Sequence, residues 1–174
     1  ELDIQAYLSF SLEPLTRFAP SQLEALHEEF MQSVITPMRL KKAEELLDWH
    51  RSRGDYLLII TSTNGFITEP IAKAMGVDDI MATDAERIDG RYTGQMTGTP
   101  CYQEGKVSRL KEWLLTYEGD LKDSWFYSDS INDLPLLKVV DNPVAVDPDE
   151  PLKDEATKRN WPVISLRDTS EEIT

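Results

Sequence analysis

Cysteine is almost absent from these 174 residues: Cys101 stands alone, which excludes an internal disulfide framework and fits a reducing compartment. On its own, Cys101 is expected to be a semi-buried loop thiol. Histidine is nearly as scarce, with His27 and His50 both in charge-rich stretches of helical pattern. Neither a histidine-based zinc centre nor a serine–histidine–aspartate triad finds its residues here, and surface or helix-packing roles are expected for both. Basic clusters are missing too, none being longer than Arg39 to Lys42, and the formal charge is -14. That balance argues against a nucleic-acid partner, whose phosphates reward Lys and Arg, and leaves the acidity as a matter of solubility. No apolar run approaches the roughly 18 residues of a membrane helix, and no basic stretch leads into an apolar one at the start. A soluble, cytoplasmic protein with no membrane partner is expected. There is no internal repeat. The first residue, Glu1 in place of Met, suggests that the sequence starts inside a longer one.

What is present supports one domain with a full core and a small appendage, at 40% hydrophobic composition. Ile4, Leu8, Leu12 and Leu15 form one stripe, and Leu23, Leu26 and Phe30 a second after Pro20, predicting two short amphipathic helices. Thr36-Pro37 reads as the start of a third helix, ended by Arg53-Gly54. Tyr56 to Ile60 is a continuous apolar run that suits a buried parallel strand, stopped by the polar Thr61 to Gly65. A helix from about Thr68 to Met75 and a short strand Ile80 to Ala82 follow. Asp89-Gly90 between Glu86-Arg87-Ile88 and Arg91-Tyr92-Thr93 is a two-residue hairpin signal. Beyond it come a helix from Lys106 to Tyr117, a strand Trp125 to Ser128, a helix Asp133 to Val140 and a strand Pro143 to Val146. A helix near Leu152 to Arg159 and a strand Trp161 to Leu166 complete the pattern. Such alternation predicts an α/β fold with a doubly wound parallel sheet, whose ligands sit beyond the carboxyl ends of the strands. Trp49, Trp113, Trp125 and Trp161 read as packing groups.

Three polar clusters follow strands or open helices, and the sheet rule predicts that they meet at one rim: Thr61 to Gly65, Lys106, and Asp129 to Asp133. Phosphoryl transfer asks for such parts, since it needs anion donors, a fixed positive charge and a magnesium ion more than unusual groups. Asp129 could ligate magnesium directly and Asp133 directly or through water, although Asp133 could also simply cap the helix that follows it. The Thr61 hydroxyl and the amides of Ser62 and Thr63 lie near a helix start that favours phosphate. Lys106 opens a helix at the end where a cation opposes the dipole, so either it serves an anion or it is merely exposed.

Together these clusters resemble the phosphoserine-phosphatase-like branch of the haloacid dehalogenase superfamily, with the likeness running over essentially the whole chain. The strand ending at Thr61 matches the second family motif, Gly105-Lys106 the third, and Ser128 to Asp133 the fourth, with serines at both glycine positions. The resemblance implies that Thr61, Ser62, Lys106 and Asn132 bind the phosphoryl group, with Thr61 and Lys106 acting in catalysis, and that Asp129 and Asp133 hold Mg2+. It also implies a small phosphorylated metabolite, such as phosphoserine or histidinol phosphate, as substrate. Residues 1–35 look like part of a helical cap and residues 36–174 like the α/β core, with the hairpin at Asp89-Gly90 as an excursion. The family's first motif, Asp-x-Asp-x-Thr with the nucleophile that becomes phosphoaspartate, is not in the sequence. Asp147-Pro148-Asp149 imitates it but comes after the fourth motif, and Pro148 with Pro151 suits a turn. The implied missing strand lies mid-sheet, so either the chain is the retained part of a longer phosphatase, with little or no activity by itself, or a second copy or a rearranged segment fills the gap by strand exchange or homo-oligomerisation. Two alternatives remain: a non-catalytic phosphate- or magnesium-binding module, and a receiver domain, which explains neither the helical start nor the hairpin.

Overall fold

A computed structural model describes residues 3–167, so that Glu1 and Leu2, assigned above to the cap, and residues 168–174, assigned to the core, lie outside the described residues. The chain divides into two compact units, one of residues up to Arg39 with Leu47–Cys101, the other of Leu40–Leu46 with the residues from Tyr102 onward.

In the first unit, α1 (Ile4–Leu12) runs into a 3₁₀ turn at Glu13–Arg17, and α2 (Pro20–Phe30) follows. The expected helix start at Thr36-Pro37 is not one. A π turn at Met31–Ile35, closed by the Thr36 N–H to the Met31 carbonyl, widens the helix and carries it on into α3 (Thr36–Met38). The wider turn makes room for the Pro37 ring inside a helical run, and the break comes at Arg39, with ψ 130. The next helix, α4, covers Lys41–Arg53.

Strand β1 spans Leu58–Asn64 and so continues through the polar residues expected to end it. A register irregularity between Ile60 and Asn64 lets Thr61 to Thr63 stay extended, and the Thr83 hydroxyl donates to the Ser62 carbonyl at 2.9 Å. Asn64 then caps α5 (Gly65–Met75) by accepting the Ile67 N–H at 3.2 Å, starting the helix earlier than Thr68. The short strand expected at Ile80 to Ala82 is the first part of one ten-residue strand, β2 (Asp79–Ile88), parallel to β1 and antiparallel to β3 (Arg91–Thr97). Asp89 and Gly90 connect them with φ 50 and 78, the left-handed pair that a tight hairpin requires. Leu12, Leu15 and Leu23 pack as a buried cluster against Phe66, Ala85, Tyr92 and Met96. Both histidines are buried: His27 Nε2 lies 3.2 Å from the Ile67 carbonyl and His50 Nδ1 2.7 Å from Asp55.

The second unit holds α6 (Glu104–Tyr117), β4 (Trp125–Ser128), a 3₁₀ turn at Ile131–Asp133, α7 (Leu134–Leu137), β5 (Asn142–Val146), α8 (Glu150–Arg159) and β6 (Val163–Ile164). Its three strands are parallel, in the order β4-β5-β6. Two elements are shorter than their patterns. Helix α7 ends at Leu137 instead of Val140, and β6 loses Trp161, whose N–H closes α8 on the Ala156 carbonyl, and Pro162, which has no N–H for the ladder. Leu137, Ala145, Leu152 and Ala156 are fully buried, with Phe126, Ile131 and Trp161 packed on them. The expected fold class is the one found: α/β, with parallel strands joined by helices and one antiparallel hairpin.

Candidate functional site

Strand β4 runs inward from the exposed Trp125 to its one buried residue, Ser128, and the tight turn after it returns Asp133 to the same point. The Ser128 hydroxyl donates to Asp133 Oδ2 at 2.7 Å. Lys106 Nζ meets the other oxygen, Oδ1, at 2.5 Å, with only 7% of the lysine side chain and 11% of the aspartate side chain exposed. Lys106 therefore is not an exposed lysine. It lies in the first turn of α6, where the helix dipole opposes it, and the Asp133 carboxylate offsets that opposition. Nor is Asp133 a helix cap, since its side chain takes no N–H of α7; Ser130 caps the 3₁₀ turn instead by accepting the Asn132 N–H.

Asn132 is fixed by Ser130 of its own motif and by Tyr102 and Gln103, which sequence patterns did not single out. Its Oδ1 accepts from the Tyr102 hydroxyl at 2.9 Å and from Gln103 Nε2 at 3.2 Å, and its Nδ2 donates to Ser130 Oγ at 3.2 Å. With its carbonyl doubly occupied, the amide can offer a ligand only its remaining N–H. Gln103 adopts φ 46 and ψ -122 just before α6, a backbone geometry no residue-type pattern announces.

Asp129 differs from Asp133 in every respect. It is exposed, and among the described residues its carboxylate has no hydrogen-bond or ion-pair partner, while its backbone carbonyl accepts the Asp149 N–H at 2.8 Å. Asp149 also accepts the Ile131 N–H at 3.0 Å on one carboxylate oxygen and the Leu152 N–H at 2.8 Å on the other. It caps α8, with Pro151 in the first turn, so the stretch Pro148 to Pro151 is a helix entry instead of a plain turn. Asp147, at φ 43, takes the Leu166 N–H at 3.1 Å; a hydrogen bond from the Ser165 side chain is the main cause that holds its carboxyl below the ordinary range, opposed next by burial and helped by that N–H and the Arg167 charge.

Among the described residues no group of three or more His, Cys, Asp or Glu surrounds a common point. Magnesium does not require one, because it keeps several waters and uses one or two carboxylates. The donor set fits a hydrated ion held by the open Asp129, with Asp133, whose oxygens already bond Lys106 and Ser128, bracing it directly or through water.

Thr61 and Ser62 belong to the first unit. Thr61 Oγ1 accepts the Thr63 N–H at 3.2 Å, which leaves its hydroxyl proton to donate, and the Ser62 carbonyl is held by Thr83 as described. Cys101 is fully buried, more than expected, and donates to the Met81 carbonyl at 3.4 Å.

Residues 9–138 match the profile of the haloacid dehalogenase-like hydrolases. The chain is 44% identical over 170 residues to a histidinol-phosphatase of Neisseria meningitidis serogroup C, an alignment covering 95% of this chain and 77% of that protein. A phosphoserine phosphatase of Mycobacterium tuberculosis is 31% identical over 147 residues; the match covers 84% of this chain but 48% of the relative, so the chain spans about half its length. Among solved structures, a protein with unknown function from Bordetella pertussis Tohama I superposes with a TM-score of 0.92 at 44% identity, covering 96% of this chain and 76% of that one.

Proposed function

This chain belongs to the haloacid dehalogenase-like hydrolases, and from that premise we propose that it serves a magnesium-dependent phosphatase acting on small phosphomonoesters, phosphoserine and histidinol phosphate among the candidates. The Thr61 hydroxyl and the Ser62 amide hold the phosphoryl oxygens. Lys106 neutralises charge on the phosphate and on the attacking carboxylate, and the spare N–H of Asn132 orients the substrate. Bound magnesium would supply charge neutralisation at the phosphoryl oxygens, with Asp129 and Asp133 as its carboxylates. The nucleophile is an aspartate outside the motifs found in this sequence; its carboxylate bonds phosphorus as the P–O bond to the substrate breaks, the leaving oxygen takes a proton from the second acid of that same motif, and water, deprotonated by that acid, then cleaves the phosphoaspartate to release phosphate. Residues 1–35 act as part of a cap over the core formed by 36–174, and the protein works in the cytoplasm.

Support comes above all from the Lys106–Asp133 pair, 2.5 Å apart and nearly buried beside the exposed Asp129. Burying two charges is costly, and such arrangements concentrate at functional sites. Phosphate release from a panel of phosphomonoesters with and without Mg2+, by a parent protein that carries both these residues and the nucleophile motif, tests the proposal; the 174-residue chain alone is expected to release little or none. Hydrolysis that depends on magnesium and falls at least about a hundredfold in Lys106→Ala and Asp129→Asn is expected; release no faster than in those variants would leave a non-catalytic binding module.

One observation favours an assembly role alongside this one. Strands β1 and β4 each end their sheet, with one edge unpaired among the described residues. Such edges accept an added strand, which a second copy or another segment would supply. Light scattering of the purified protein checks for the second copy.

A further inference from the structure

The segment Asp147-Pro148-Asp149 imitates a nucleophile motif and has no part in the chemistry proposed above, yet it is bonded on all sides. A helix cap needs one oxygen, and Asp149 spends one on the Leu152 N–H at the head of α8. Its other oxygen and its own N–H go elsewhere, to the Ile131 N–H at 3.0 Å and the Asp129 carbonyl at 2.8 Å. Ser128 Oγ holds the intervening Ser130 N–H at 3.2 Å. Asp149 is itself anchored, because the Asp147 N–H bonds the Ile164 carbonyl at 3.0 Å and the Asp147 carboxylate takes the Leu166 N–H. The backbone on either side of Asp129 is thus pinned while its side chain is exposed and without a partner, so the carboxylate's direction is set by the peptide units that Asp149 grips.

We infer that Asp149 is a positioning residue that aims the Asp129 carboxylate and so sets the affinity of this loop for a divalent cation. This rests on Asp129 being the cation ligand. Hydrogen bonds that orient a ligating carboxylate are worth about 10- to 100-fold in metal affinity, and a single lost bond belongs at the lower end.

Asp149→Ser separates the two jobs, since serine still caps α8 but is too short to reach Ile131. Binding of Mn2+ alone, followed by electron paramagnetic resonance of the free ion, should weaken about tenfold with an unchanged melting temperature. Asp129→Asn serves as the second arm and should lose at least as much. Parent-like Mn2+ affinity in Asp149→Ser, while Asp129→Asn is weakened, overturns the positioning role alone; parent-like affinity in Asp129→Asn overturns the cation site and this inference with it. A measurement without any variant guards against a folding defect: the Ile131 amide should be protected from hydrogen exchange as the Leu152 amide is, and rapid exchange at Ile131 alone refutes the clamp.

Discussion

Replacing Lys106 by methionine removes a charge while keeping most of the side-chain volume, so it isolates the electrostatic part of the Lys106–Asp133 contact. At 2.5 Å the pair has a gross attraction of about 7 kcal/mol at an effective dielectric constant near 20, offset by several kcal/mol of desolvation for each ion. Removing one partner leaves the other desolvated, which costs about 3 to 5 kcal/mol when a pair is buried. Asp133 keeps the Ser128 hydroxyl at 2.7 Å, and that places the expected loss near the lower figure, about 3 kcal/mol. With a urea slope of about 2 kcal/mol/M the unfolding midpoint should fall by about 1.5 M. Trp125 in β4 and Trp161 beside the second core provide the fluorescence signal. The double variant Lys106→Met with Asp133→Leu should recover most of the loss, because an apolar pair no longer strands a charge. A midpoint shift below about 0.3 M in the single variant, or a double variant as unstable as the single one, would refute the claim that this contact is a buried, mutually dependent ion pair.

Leu152, at 0% exposure in the second core, should cost about 3 kcal/mol on truncation to alanine, read from urea unfolding by circular dichroism. Asn64→Ala removes the acceptor for the Ile67 N–H and should cost about 1 kcal/mol, with increased hydrogen exchange in the first turn of α5. Asp55 provides a pH test. Its carboxyl is held below the ordinary 3.8, first by the hydrogen bond to His50 and then by Arg53, with burial acting in the opposite direction. A depressed folded-state value means that the stabilisation is present above pH 3.8 and is lost as the pH falls through the lower folded value. Thermal melts of Asp55→Asn should therefore decline less steeply than the parent as the pH falls below 3.8, and equal slopes would contradict the assignment.

Signals carried by neighbouring residues were legible in the sequence. The apolar run into Ser128-Asp129 marked β4 and its exit loop, and Asp89-Gly90 marked the hairpin because few other dipeptides accept two left-handed residues in succession. Signals that depend on hydrogen-bond register were not. Pro37 looked like a helix start because a π turn cannot be foreseen from composition, and Thr61 to Thr63 looked like a stop although Thr83, on the next strand, supports the backbone there. At the site, residue types pointed to Asp129, Asn132, Asp133 and Lys106 as candidates, but not to their unequal situations. Whether Lys106 is exposed or buried depends on Asp133, which meets it only after an intervening strand has folded. Tyr102 and Gln103 have no distinctive pattern of their own, and only their bonds to Asn132 set them apart; Asp149 stood out as part of a nucleophile-like triplet, a pattern that says nothing of its bond to Ile131.

The completely enclosed Cys101 gives this protein a built-in clock. A thiol reagent in water cannot touch a sulfur packed against the Met81 carbonyl, so modification waits for a transient opening of the surrounding structure. Under dilute reagent the labelling rate reports how often the open form is populated; under saturating reagent it reports how fast the form appears. With no second sulfhydryl to confuse the count, mass spectrometry of native samples yields both quantities from one side chain.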